Sequence, residues 1–215
     1  MTVATIGALG IVWAFVIYFY GDPITALYQD WQQHRMTGQL DNTFRKFKPP
    51  VPLTAAGGKG PSPQAIHDAA LSFSRQAKSG QPIGRIEIPR LHLNKIFVNG
   101  TDWASDLSRG PGRYPQSSWP GLGKVTAIAG HRTTFGAPFR HIDWLQKGNR
   151  IVLLMPYGTF TYQVFMHKVV RSNDWSILHG RAFDTLVLSA CHPLYSASHR
   201  WIVFARLATV TAPRA

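Results

Sequence analysis

The chain carries one cysteine, Cys191, at the end of the apolar run Thr185-Leu186-Val187-Leu188-Ser189-Ala190. Arg200 follows nine residues later, at the head of a second apolar run, Trp201-Ile202-Val203-Phe204-Ala205. About sixty residues upstream stands Ile128-Ala129-Gly130-His131-Arg132-Thr133-Thr134-Phe135-Gly136. A thiol at the mouth of one strand, a guanidinium starting its neighbour and an imidazole just past a third converge on one point if the strands close into a barrel. Together they supply a nucleophile, an oxyanion donor and an acid/base.

Each residue also has a plain structural reading. A lone cysteine is more often a small buried apolar side chain than a nucleophile, and an arginine at a strand start is usually a solvated edge charge. A single cysteine in an exported chain serves no internal disulfide, however, and this one is bracketed by polar partners. For His131, Gly130 before it and Thr133, Thr134 and Gly136 after it mark a turn at a strand end, where function concentrates. The other histidines, His34, His67, His92, His141, His167, His179, His192 and His199, form no paired short-spacing pattern, and one cysteine makes no thiolate cluster. No metal and no cofactor is therefore expected.

The elements that must position this chemistry begin with a span from Val3 to Tyr20 that has no charge. At about 1.5 Å per residue it reaches roughly 27 Å, close to a bilayer core, and it predicts a transmembrane helix. No basic segment precedes it and no small-residue cleavage site follows, which argues against a signal peptide. All 23 Lys and Arg residues lie after it. Taken literally that reverses the positive-inside expectation, but the rule weakens for long domains. A polar stretch from Pro23 to about Arg45, with Ile24, Leu27, Tyr28 and Trp31, suits a helix along the membrane surface. Lys46 to Leu53 and Gly57-Gly58-Lys59-Gly60-Pro61-Ser62-Pro63 read as a linker. The expected division is an anchor over 1–22, a juxtamembrane segment and linker over 23–62, an N-terminal helix over 63–81 and a catalytic domain over 82–215.

In that helix Ile66, Ala69, Ala70 and Phe73 share one face. Candidate strands then run Gly84 to Ile88, Leu91 to Val98, a short one near Leu107, Val125 to Ala129, Ile151 to Met155, Thr159 to Val170, Thr185 to Ala190 and Trp201 to Leu207. Eight short strands separated by Gly and Pro turns in about 125 residues predict an all-β domain, a closed eight-stranded barrel with short helical insertions.

The segments Ala129-Gly130-His131-Arg132 and Cys191-His192-Pro193 through Arg200, with Gly110-Pro111-Gly112-Arg113-Tyr114-Pro115 ahead of them, resemble the sortases, the transpeptidases of bacterial envelopes. The likeness covers roughly residues 82 to 208. The short cysteine-to-arginine gap and the Cys-His-Pro start are most similar to class E, the housekeeping group of high-GC actinobacteria. The resemblance implies that Cys191 forms a thioester with the threonine of a sorting signal like Leu-Pro-x-Thr-Gly or Leu-Ala-x-Thr-Gly. Arg200 would steady the oxyanion, and His131 would serve as acid and then base. Secreted proteins bearing that signal would be the substrates, and a peptidoglycan precursor or pilin amine the acceptor. The catalytic domain would be extracytoplasmic, on a single-pass anchor in the cell membrane. Ala190, Ser189, Thr133, Tyr114 and His192 are the candidate substrate contacts. One departure stands out, because sortases usually carry Thr-Leu-x-Thr before the cysteine and this chain has Val187-Leu188-Ser189-Ala190. Two other readings remain open, a peptidase that releases its acyl-enzyme to water and a non-catalytic envelope module.

A net charge of +13 and seven tryptophans raise nucleic-acid binding as a third class. The bases are scattered through linker and strands and several tryptophans sit in apolar runs, so no stacking groove is legible. Anionic wall polymers or lipid head groups fit the charge better.

Overall fold

The computed structural model describes residues 2–20, 22–53 and 60–214. Eight strands, β1 (Pro82–Ile88), β2 (Leu93–Asn99), β3 (Gly112–Arg113), β4 (Val125–Ala129), β5 (Arg150–Met155), β6 (Gly158–Arg171), β7 (Thr185–His192) and β8 (His199–Thr211), close into a barrel in the order β1-β2-β3-β4-β7-β8-β6-β5. Neighbours are antiparallel except β2–β3 and β4–β7. The parallel β4–β7 pair lies beside the antiparallel β7–β8 pair, so β7 is central among the strands that matter for chemistry.

Alternation along β7 explains its two faces. Leu186, Leu188 and Ala190 join the main core with Ile86, Ile88, Phe97, Ile128, Phe160, Val203 and Ala205. Val187 turns the other way, into a smaller apolar cluster with Val125, Ala127, Ile202 and Phe204, which Ile177 from the turn Trp175–Leu178 helps to build. Period-two side-chain direction puts Ser189 and Cys191 on that outer side with Val187.

Helix α3 (Pro63–Gln76) starts at Ser62, whose hydroxyl accepts from Ala65 N at 3.1 Å, and buries Ile66, Ala69, Ala70 and Phe73 as their spacing predicts. Phe73 meets Trp119 and Phe47 edge to face, at 5.4 and 5.2 Å between centroids. The third strand falls elsewhere than expected. Residues Trp103–Leu107 form a short π-helical turn, capped by the Asp102 carboxylate, and the strand is the Gly112–Arg113 pair. So short a strand is fastened by Arg113, whose buried guanidinium donates to Asn99 Oδ1 at 3.0 and 2.8 Å and lies over the Trp119 ring at 4.1 Å. Burial pulls the Arg113 pKa down to about 10.

Two further helices lie N-terminal to α3, namely α1 (Thr2–Tyr20) and α2 (Pro23–Lys46). The transmembrane expectation finds no support here: among the described residues no helix is long and apolar enough to cross a membrane. The two ends of the uncharged span are residues whose side chains lie outside the described ones, as do residues 54–59 of the expected Pro/Gly linker. Helix α2 packs on the barrel, burying Gln29, Met36 and Leu40, the last two against Ile96 and Val98. Ile24, Leu27 and Trp31 stay 66%, 73% and 51% exposed on the other side.

Candidate functional site

Strand register assembles the site. In the antiparallel β7–β8 ladder Cys191 pairs directly with Arg200, and directly opposed residues project from the same face. In the parallel β4–β7 ladder Ala129 pairs with Ser189, and Gly130 N donates to Ser189 O at 3.0 Å. His131 follows Gly130 and therefore leaves β4 at the same barrel edge at which Cys191 stands, one residue before the end of β7. Three residues from separate stretches of chain are brought to one edge because β7 has β4 on one flank and β8 on the other.

Cys191 is a free, partly buried thiol. His131 is half-buried, and burial lowers its pKa below the ordinary histidine value, which favours the neutral ring near neutral pH. Its Nε2 is buried without a hydrogen-bond partner among the described residues. A neutral imidazole with one unengaged nitrogen is equipped to take or give a proton. The Arg200 guanidinium donates from Nη1 to the carbonyls of Ala197 at 2.9 Å and His199 at 3.0 Å. It is thus folded onto its own turn through Nη1, and its Nε and Nη2 hydrogens are further donors that an oxyanion could engage. Among the described residues no group of three or more His, Cys, Asp or Glu could hold a metal ion.

The other sequence-derived candidates divide by face. Ser189 accepts a hydrogen bond from the Tyr114 hydroxyl at 3.2 Å, and the Tyr114 ring meets Trp175 edge to face at 6.1 Å, so both belong to the Cys191 side. Thr133 is half-buried in the loop after β4, two residues beyond His131. Ala190 is 2% exposed and packs in the main core, and His192 leans on Trp201, which packs against that same core, at 5.4 Å between rings. These two are not brought to the thiol's face. Ala190→Thr therefore adds a polar atom and volume inside a packed barrel. We expect a loss of about 1 to 3 kcal/mol of stability, seen as a fall of several degrees in the thermal unfolding midpoint. An unchanged midpoint would mean that the interior has room for the hydroxyl.

Arg132 is a site residue whose role the sequence left unread, although it stands beside His131 in the same motif. It is 3% exposed; its Nε donates to Arg140 O at 3.1 Å, its Nη1 to Cys191 O at 3.3 Å, and its Nη2 pairs with Asp143 at 3.0 Å. A buried guanidinium so held ties the backbone of the thiol to the loop that carries the imidazole. The only signal was its position next to His131.

A barrel that fixes one thiol, one imidazole and one guanidinium at a shared edge has the parts of a cysteine-dependent acyl-transfer protein. The Sortase domain model matches residues 86–208, and the chain belongs to the sortase family, whose members are cysteine transpeptidases. Sortase D of Bacillus subtilis is 34% identical over 164 residues, covering 74% of this chain and 78% of the relative. Among solved structures, sortase E from Streptomyces avermitilis is 29% identical with a TM-score of 0.57, covering 63% of this chain and 93% of that one. Sortase E1 from Streptomyces coelicolor, with a tripeptide in its active site, is 25% identical with a TM-score of 0.58, covering 62% and 91%.

Proposed function

We propose that the chain cuts a sorting signal of the Leu-Pro-x-Thr-Gly or Leu-Ala-x-Thr-Gly type after threonine and passes the acyl group to an envelope amine. The observation that carries this reading is the register that sets Cys191 opposite Arg200 and brings His131 to the same edge. The thiol proton passes to His131 as Cys191 Sγ attacks the threonine carbonyl carbon, and Arg200 donates to the resulting oxyanion. Collapse breaks the carbon–nitrogen bond, and His131 gives the proton to the departing glycine amine. An incoming amine then attacks the thioester and yields its proton to His131 as a new amide forms. The thiolate that leaves recovers that proton.

Substrates in this reading are secreted proteins with a C-terminal signal, and the acceptor is a peptidoglycan precursor or a pilin amine. The Cys191-His192-Pro193 start and the likeness to the Streptomyces sortase E structures support class E. The 34% identity to Sortase D favours a second assignment, to that group. We place the barrel on the outer side of the cell membrane, with α1 as its attachment. Exposed Ile6, Leu9, Ile11, Val12, Trp13 and Phe15 support that placement.

The test is to incubate the protein with both signal peptides, with and without an added amine, and to weigh the products. We expect cleavage after threonine and a new amide product when amine is present. Hydrolysis alone in both mixtures would establish the peptidase, and no cleavage of any signal peptide would leave a binding module.

A further inference from the structure

The loop that carries His131 is held from outside the residues 86–208 that the family model matches. Phe135 N donates to Thr25 Oγ1 of α2 at 2.8 Å. Phe135 sits at φ 49°, a left-handed conformation that a bulky residue adopts only when its surroundings fix it. Its ring lies against the His131 ring at 5.3 Å between centroids and meets Tyr28 of α2 edge to face at 6.3 Å. The next residue, Gly136, also has positive φ, at 63°, and a Cβ there would come within 2.8 Å of Gln29 Oε1. Gln29 is fully buried, and neither of its amide atoms has a hydrogen-bond partner among the described residues. So close an approach has been kept at the expense of a satisfied polar group.

Helix α2 is itself fixed at both ends of this contact. The Asp22 carboxylate caps it, accepting from Ile24 N at 3.0 Å and Thr25 N at 3.4 Å. One turn beyond Gln29, Gln33 behaves like a piece of strand: its Nε2 donates to Ile96 O at 2.9 Å and Arg109 O at 2.8 Å, and its Oε1 accepts from Ile96 N at 2.7 Å. Asp30 pairs with Lys95 at 2.7 Å. The helix is thereby registered on β2, and it offers the Thr25 hydroxyl at a fixed distance from β4.

We propose that α2 is a strut for the proton-transfer group and that Thr25, acting through Phe135, is a positioning residue for His131. The reading rests on the role assigned to His131 above. Thr25 touches no reacting atom; it sets where the Phe135 ring lies, and that ring sets how far the imidazole is tucked from water.

Two variants separate the acceptor from the shape. Thr25→Val keeps the outline and loses the acceptor, whereas Thr25→Ser keeps the acceptor. In the full chain, Thr25→Val should lower kcat on a signal peptide roughly five- to tenfold, the worth of one ordinary hydrogen bond, with KM within about twofold. Thr25→Ser should match the wild type. A second readout needs no turnover: the His131 titration midpoint, followed by ring NMR shifts, should rise in Thr25→Val and stay put in Thr25→Ser, because a released ring gains water. Phe135→Leu, which removes the ring and leaves the backbone bond, should raise the midpoint as well.

Equal loss in the valine and serine variants, or a change confined to KM, would overturn the strut. So would an unmoved His131 midpoint in both Thr25→Val and Phe135→Leu. Should the wild type show no transpeptidation, the proposed reaction fails by itself, and the midpoints still decide whether α2 positions the ring.

Discussion

Cys191→Ala is expected to abolish the covalent adduct with a signal peptide and every product derived from it, with no loss of fold. Cys191 lies one residue before the end of β7 with its side chain on the outer face, partly buried and outside both apolar clusters, so removing the sulfur leaves little cavity. With no second cysteine in the chain, no other thiol can substitute. The measurements are intact-protein mass after exposure to peptide and the unfolding midpoint of the same variant. Transpeptidation that persists in Cys191→Ala, at any appreciable fraction of the wild-type rate, would exclude the thioester route.

Arg200→Ala should cost about 2.7 to 4 kcal/mol of transition-state stabilisation, the usual worth of an oxyanion donor, and so lower turnover by roughly a hundredfold or more. The structure adds a particular to that expectation. The guanidinium rests on the carbonyls of Ala197 and His199, and it has donors to spare once a substrate offers a better acceptor. Arg200→Lys keeps the charge without the planar fork, so it should recover only part of the rate. Equal turnover in wild type, Arg200→Lys and Arg200→Ala would leave Arg200 as a brace for its own turn. The folded state should be indifferent to all three, which unfolding in denaturant would verify.

The strands of the barrel were legible because alternation and β-branched density are strong where a strand packs on both sides, as in β4, β5 and β7. What escaped was structure whose signal is not apolar periodicity. Strand β3 is two residues between turn formers, and its stability resides in the Arg113 guanidinium, which no pattern announces. Residues Trp103–Leu107 look strand-like by composition but are wound into a turn by the Asp102 carboxylate, which accepts from Ala104 N and Ser105 N. Helix α2 is the instructive case. Its large apolar residues Ile24, Leu27 and Trp31 draw the eye to a membrane-facing stripe, whereas it docks through Gln29, Gln33, Met36 and Leu40, spaced for one face yet half of them amides. An amide that imitates a neighbouring strand's backbone bonds carries no hydrophobic signal at all.

At the candidate site the residue types and their order were readable, since a thiol, an imidazole and a guanidinium at three strand ends are visible without coordinates. Their face was not. Alternation within a run as uniformly buried as Thr185–Ala190 does not say which side is inside, so Ala190 and Cys191 looked equivalent as neighbours of substrate. Packing places Ala190 in the core. Arg132 was hidden for a related reason: an arginine in a loop reads as solvated until a carboxylate and a carbonyl are found around it.

The parallel pairing of β4 with β7 also orders events in time. Antiparallel neighbours can zip from a turn, but β4 must wait for β5, β6 and the long return to β7 before its second edge is filled, and such distant contacts form late. As the chain emerges, the imidazole appears first, the thiol long afterwards and the guanidinium last. Until β8 lies down between β7 and β6, the sulfur has neither its strand-mate nor a closed wall behind it. In this order the thiol gains the strand that carries Arg200 in the same step that seals the barrel.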